Sequence, residues 1–207
     1  MKEIVCFGDS NTWGWDPSSK ERFDRNTRWT GVLQNLMGKE YRITEEGLNG
    51  RTTVWDDPIE LFKKGSEHLP SLLETHRPFD LIIIMLGTND LKVRFSVTAY
   101  DVAQGIGTLI DIVRKSDAGP GGNPPLILVM APPPLGKLTE YAEMFTNGLE
   151  KSKNFAKRFK EVAEEHEVAF FDTSSVIATS NLDGVHIEKE MHKALGNAVA
   201  KIVKELI

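Results

Sequence analysis

The sequence predicts an α/β fold, a three-layer α/β/α sandwich around a parallel sheet of about five strands. Three observations carry this. Short apolar runs alternate along the chain with segments whose apolar residues recur at helical spacing. Residues 81–86 (LIIIML) are apolar throughout, as a central parallel strand covered on both faces requires. Turn-forming residues then follow the apolar runs directly: Gly8-Asp9-Ser10-Asn11, Gly47, Gly87-Thr88-Asn89-Asp90 and Pro132-Pro133-Pro134.

Residues 4–7 form the first predicted strand. Trp29, Val32, Leu33 and Leu36 mark a helix that Gly38 stops. Residues 41–44 form the second strand, ending at Glu45-Glu46-Gly47, and residues 81–86 the third. Val102, Ile106, Leu109, Ile110 and Val113 mark a helix, and residues 126–130 the fourth strand. Phe155, Phe159, Val162 and Ala163 mark another helix, and residues 168–171 the fifth strand. Leu195, Val199, Ile202 and Val203 mark the last helix. Strands alternating with helices imply right-handed crossovers and a parallel sheet. Residues 11–27, 48–66 and 132–146 are longer connections than such a sheet needs, and long loops at strand ends build sites or interfaces.

The 207 residues fit one domain spanning 1–207, and 40% hydrophobic content suffices for a globular core. A net charge of −5 argues against nucleic acid or an anionic membrane as partner. No apolar run approaches the roughly 18–20 residues of a membrane span. One cysteine, Cys6, rules out an internal disulfide, and a cytoplasmic protein is expected. No set of His, Cys, Asp and Glu has zinc-ligand spacing, so neither metal nor cofactor is expected.

Ser10 stands just past the first strand, at the sheet edge where open α/β sheets place their sites. As a bare motif, Gly-Asp-Ser also describes an ordinary turn or helix cap. Asp183 and His186 lie three residues apart, close enough for the carboxylate to hold one ring nitrogen while the other reaches Ser10. An Asp-Gly turn beside an exposed histidine is the alternative. His68, His76, His166 and His192 sit in polar, helix-like surroundings and are expected at the surface. Asn89 follows the central strand and can donate to a developing oxyanion, and Gly47 ends the second strand at the same edge. Both also suit plain turns. A nucleophile, N–H donors and a base with its orienter thus meet at one sheet edge. Together they are the parts needed for acyl transfer through a covalent serine intermediate.

In these blocks the chain resembles the SGNH hydrolases, also called GDSL esterases: GDSN at 8–11, EGLNG at 46–50, GTND at 87–90 and DGVH at 183–186. The resemblance implies a flavodoxin-like SGNH hydrolase fold. It makes Ser10 the nucleophile, His186 the base and Asp183 its partner. The oxyanion hole would be the backbone N–H groups of Ser10 and Gly47 with the Asn89 side chain. Asn11 stands where the family name expects leucine, and Ile187 where relatives often carry proline. Neither is expected to touch a catalytic group. CFGDSNTWGW, RWTGVL, EEGLNGRTT and LIIIMLGTND look like the arylesterase branch of that family, which also transfers acyl groups in water (perhydrolase type). That branch implies short-chain, chiefly acetyl, ester substrates and a homo-oligomer, specifically a compact octamer.

Trp13, Trp15, Phe23 and Phe95 are expected to line a narrow apolar approach to Ser10, with core packing as the alternative. Arg28, Arg51, Asp56 and Asp57 suit substrate orientation or ordinary salt bridges equally. Within the enzyme class the rivals are a carbohydrate acetylesterase and a thioesterase or lysophospholipase. The rival of another class is a phosphate- or nucleotide-binding flavodoxin-like module. No G-x-G-x-x-G or P-loop follows Phe7 to favour it. The apolar residues Trp55, Ile59, Leu61 and Phe62, with Leu135, Leu138, Tyr141, Met144 and Phe145, are too many for solvated loops and point to a homo-oligomer.

Overall fold

A computed structural model describes residues 1–207. Its strands are β1 (Lys2–Gly8), β2 (Tyr41–Gly47), β3 (Leu81–Met85), β4 (Leu126–Ala131) and β5 (Ala169–Asp172). Its α-helices are α1 (Ser10–Trp13), α2 (Trp29–Met37), α3 (Gly65–His76), α4 (Ala99–Arg114), α5 (Gly148–Ser152), α6 (Phe155–Glu165) and α7 (Lys189–Leu206). All strand pairs are parallel, in the order β2-β1-β3-β4-β5. The chain moves outward from β1 in one direction to β2 and in the other to β3. The switch point of the sheet therefore lies between β1 and β3, where a crevice opens beyond the strand ends.

Alternation along each strand divides the core between two faces. Val5 and Phe7, with Ile82, Ile84, Ile127 and Val129, pack with α3, α4 and α6. Ile4 and Cys6, with Leu81, Ile83, Met85, Leu128 and Met130, pack under α2 and α7. All five side chains of β3 are buried, each contributing about 1.5–3 kcal/mol as apolar burial. Strand register fixes the active edge: Gly8 pairs with Gly47 on one side and with Met85 on the other. The chain therefore leaves β1, β2 and β3 at one level, and the loops that follow converge.

Helix α3 lies where the sequence reads as a loop running to residue 66 and no helix beyond it. Leu69, Leu72 and Leu73 do carry the helical spacing and are buried, but Pro70 in their midst conceals it. The apolar loops also divide. Leu135 and Phe145 are core residues, and Trp55, Leu138, Tyr141 and Met144 pack against that core, so the 132–146 segment covers its own domain. Only Ile59, Leu61 and Phe62 stay in solvent, at 71%, 60% and 78% exposure.

The histidine expectation also needs correction. His192 is fully buried beneath α2, where its Nδ1 accepts the Trp29 N–H at 3.2 Å. Burial, aided by the Arg28 charge, lowers its pKa to about 3, so the ring is neutral. A polar helix sequence concealed this because α7 is amphipathic and His192 falls on its inward stripe. His68, His76 and His166 are half-buried.

Candidate active site

The sharp exit from β1 into α1 places Ser10 at the first position of a short helix. Asp9 caps that helix by accepting the Asn11 N–H at 2.9 Å. His186 Nε2 lies 3.0 Å from Ser10 Oγ, and His186 Nδ1 lies 2.7 Å from Asp183 Oδ2. The other carboxylate oxygen, Asp183 Oδ1, accepts the Val185 and His186 N–H groups at 2.8 and 2.9 Å. Burial pushes the Asp183 carboxyl up, but the hydrogen bonds from His186 and Val185 outweigh it, and its pKa falls below the ordinary value. Asp183 is thus held ionised, its lone pairs aimed at the ring and at the turn that carries the ring.

Asn11, the departure from the leucine of the family name, bears directly on this arrangement. Its Oδ1 accepts the Ile187 N–H at 3.0 Å, and its Nδ2 donates to the Val185 carbonyl at 3.4 Å. The carboxamide grips the backbone on both sides of His186 from the position next to Ser10. Sequence reasoning missed this role, because no local pattern links residue 11 to residues 185 and 187.

A cavity of about 260 Å³ opens over Ser10, Asn89 and His186. Its apolar lining comes from Trp15, Tyr141, Met144, Phe145 and Val185, and its further polar lining from Asn49, Gly50, Glu60 and Lys92. Trp15 and Tyr141 both pack on the His186 ring, with ring centroids 5.6 and 5.9 Å away. Of the aromatic residues expected at the site, Trp15 alone lines the cavity. Trp13 stacks behind Trp15 at 6.2 Å beneath the Arg22 guanidinium. Phe23 meets buried His192 edge-on at 5.2 Å, and Phe95 packs against the core under Arg94.

The glycine expected beside Ser10 is also displaced. Gly47 does not line the cavity. A Cβ there would lie 2.1 Å from the Trp13 nitrogen, so the glycine lets α1 cross the end of β2. Gly50 takes the cavity position instead. It adopts φ +81°, and its N–H has no acceptor within the chain. Asn89 Nδ2 donates to the Arg51 carbonyl at 3.2 Å, while its 3.5 Å approach to Asp9 Oδ2 is at the limit of a hydrogen bond. One Asn89 N–H therefore remains for the cavity. Burial raises Asp9 to about 6 and Asp90 to about 7, and Asp90 accepts the Thr53 N–H at 2.9 Å. Arg28 pairs with Glu45 at 3.0 Å and Arg51 donates to the Gly8 carbonyl at 2.9 Å. Asp57 pairs with Lys92 and Arg94. These groups brace the strand ends and loops.

Fold and site define an α/β protein with a serine–histidine–aspartate constellation at the switch point of a parallel sheet. Residues 6–194 match the model of the GDSL-like Lipase/Acylhydrolase family, and the chain belongs to that family. The native aryl esterase of M. smegmatis superposes with a TM-score of 0.96 at 42% identity, over 100% of both chains. A carbohydrate acetylesterase from Sinorhizobium meliloti superposes with a TM-score of 0.95 at 40% identity, also over 100% of both chains. A member of the lipolytic G-D-S-L family from Veillonella parvula shares the fold at 15% identity and a TM-score of 0.72, over 100% of both chains. Among curated proteins, no sequence matches the chain.

Proposed function

We propose that this carboxylic ester hydrolase cleaves short-chain, acetyl-type esters through an acyl-serine on Ser10. The observation that carries the reading is the unbroken chain of hydrogen bonds from Ser10 through His186 to Asp183, at 3.0 and 2.7 Å. His186 takes the Ser10 proton as Oγ attacks the ester carbonyl. The carbonyl oxygen, now negative, turns toward the N–H groups of Ser10 and Gly50 and the Asn89 amide. His186 returns the proton to the departing alkoxide. It then deprotonates a water that releases the acid and frees Ser10. Gly50 replaces Gly47 as backbone donor in this scheme because its N–H is free and it lines the cavity. A cavity of about 260 Å³ suits a small acyl group.

The test is turnover of p-nitrophenyl acetate, blocked by a serine-directed fluorophosphonate. Ser10→Ala should lower kcat on the order of 10⁴–10⁶-fold with the fold intact. Retention of more than roughly a hundredth of the activity rejects the scheme. The apolar lining also favours interception of the acyl-enzyme by alcohols, since burial of each acceptor CH₂ contributes about 0.8 kcal/mol. With vinyl acetate and benzyl alcohol in buffer, benzyl acetate should form beside acetate; acetate alone rejects acyl transfer.

The reading includes a homo-oligomer, for which the resemblance implies an octamer, and a cytoplasmic location in keeping with the single buried Cys6. Ile59, Leu61 and Phe62 flank Glu60 on the loop that walls the cavity, and a second copy of the chain would cover them. Light scattering of a dilute sample that returns the 23.1 kDa monomer mass rejects this assembly.

A further inference from the structure

We infer that Asn49 and Glu60 form a subsite for the alcohol portion of the substrate. It selects acyl esters whose alcohol carries a free hydroxyl beside the esterified one. The inference rests on the acyl-serine reading of the same cavity.

Two polar groups that line the cavity keep hydrogen-bonding capacity that the chain does not use. Asn49 makes no side-chain hydrogen bond: its Oδ1 is enclosed without a partner, and its Nδ2, which is not enclosed, donates to no group of the chain. An amide left unpaired at a cavity wall costs free energy once a ligand displaces water from it, unless the ligand supplies a partner. Glu60 is the second. Its Oε1 accepts Lys92 Nζ at 2.5 Å and Arg94 Nη2 at 2.8 Å, whereas its Oε2 accepts nothing. The two groups flank Gly50. A Cβ on that glycine would lie 2.5 Å from Glu60 Oε2, so the missing side chain lets the carboxylate close against the backbone beside Asn49.

Charge decides what kind of donor suits this oxygen. Lys92 and Arg94 face Asp57 and Glu60 in one cluster, with Asp57 at 3.4 Å from Lys92 and 2.7 Å from Arg94. Two cations balance two carboxylates, and Lys63 comes to the same place, its Cε 3.4 Å from a Cβ built on Gly50, so Glu60 Oε2 has no unpaired charge with which to recruit an ammonium ligand. A neutral hydroxyl remains the fitting donor, held by a carboxylate that its ion pairs have already fixed in place. The same cavity is lined by the aromatic rings of Trp15 and Tyr141. A ligand with an apolar face and a hydroxylated edge satisfies both kinds of lining group. An acetyl group carries no donor, so the hydroxyl belongs to the alcohol. A plain alkyl alcohol would desolvate Glu60 Oε2 and leave it and the Asn49 amide unpaired, and a site built to hold a hydroxyl discriminates strongly against that.

The experiment compares glycerol 1-monoacetate with propyl acetate. They share one carbon skeleton and differ by the two hydroxyls, and each rate is normalised to alkaline hydrolysis. The natural chain should favour the glycerol ester in kcat/KM by at least about tenfold. Asn49→Ala and Glu60→Gln should each reduce that ratio about three- to tenfold. In Glu60→Gln the two cations retain the amide oxygen, which turns an NH₂ that cannot accept toward the cavity. A natural-chain ratio below about threefold overturns the subsite, and so does a higher ratio that both substitutions leave unchanged. Should a variant fail to fold, the natural-chain ratio still decides. Absence of p-nitrophenyl acetate turnover in the natural chain would instead reject the ester reading itself.

Discussion

Replacing Asn11 by leucine, the residue of the family name, tests whether the grip on His186 contributes to catalysis. Asn11 is 3% exposed, and its two bonds satisfy the Ile187 N–H at 3.0 Å and the Val185 carbonyl at 3.4 Å. Leucine nearly fills the space but strands both backbone groups, at about 1–3 kcal/mol for each buried unpaired group. The 3.4 Å contact is long and belongs at the low end of that range. The sum is about 2–4 kcal/mol, or a Tm loss of roughly 4–16 °C for a chain of 207 residues. Catalysis should suffer separately. Ser10 and His186 must hold 3.0 Å between Oγ and Nε2, and a misplacement of about 1 Å costs about 10² in rate. We expect kcat for p-nitrophenyl acetate to fall about 10- to 100-fold, with KM changed less than about twofold. The assay is steady-state turnover well below the variant's Tm, paired with calorimetry. A variant that melts earlier yet keeps more than half of kcat refutes the positioning argument and leaves Asn11 a structural role alone.

Asn89→Ala should lower kcat about 10²–10³-fold with little change in KM, because its free N–H serves an oxyanion present only in the transition state; a pure KM effect would assign it to ground-state binding. His186→Ala should be nearly inactive. His192→Ala should instead lose stability, because it removes the acceptor of the buried Trp29 N–H, while kcat of the folded protein stays within about threefold; equal activity losses at both histidines would undo this division. Asp90 and Asp9 bind protons more tightly folded than unfolded, with pKa values of about 7 and about 6 against an ordinary 3.8. Their contribution to stability is therefore present near pH 4 and is lost as pH rises toward 7. Asp90→Asn should flatten that decline in a series of melts, and an unchanged slope would show that the carboxyl does not titrate there.

The sequence by itself determined the strands, their parallel arrangement and the residue types that carry the chemistry. Residues 81–86 read as a buried strand, and the structure pairs Leu81–Met85 on both sides. Ser10, Asn89 and His186 read as site residues because each follows a local break in pattern, and all three line one cavity. Such features are set by backbone geometry over a few neighbouring residues, so they are legible locally.

Only the tertiary structure decided which of two nearby glycines faces the cavity. Gly47 and Gly50 are alike in sequence, and the passage of α1 over the end of β2 separates them. The burial of His192 follows from the docking of α7 against α2, and the placing of Trp15 rather than Phe23 on the cavity wall from the path of the loop after α1. The Asn11 grip joins groups 174 and 176 residues apart. Contacts of that kind depend on where distant segments cross, and a crossing is fixed by packing of the whole sheet and its helices, which no short window of sequence contains.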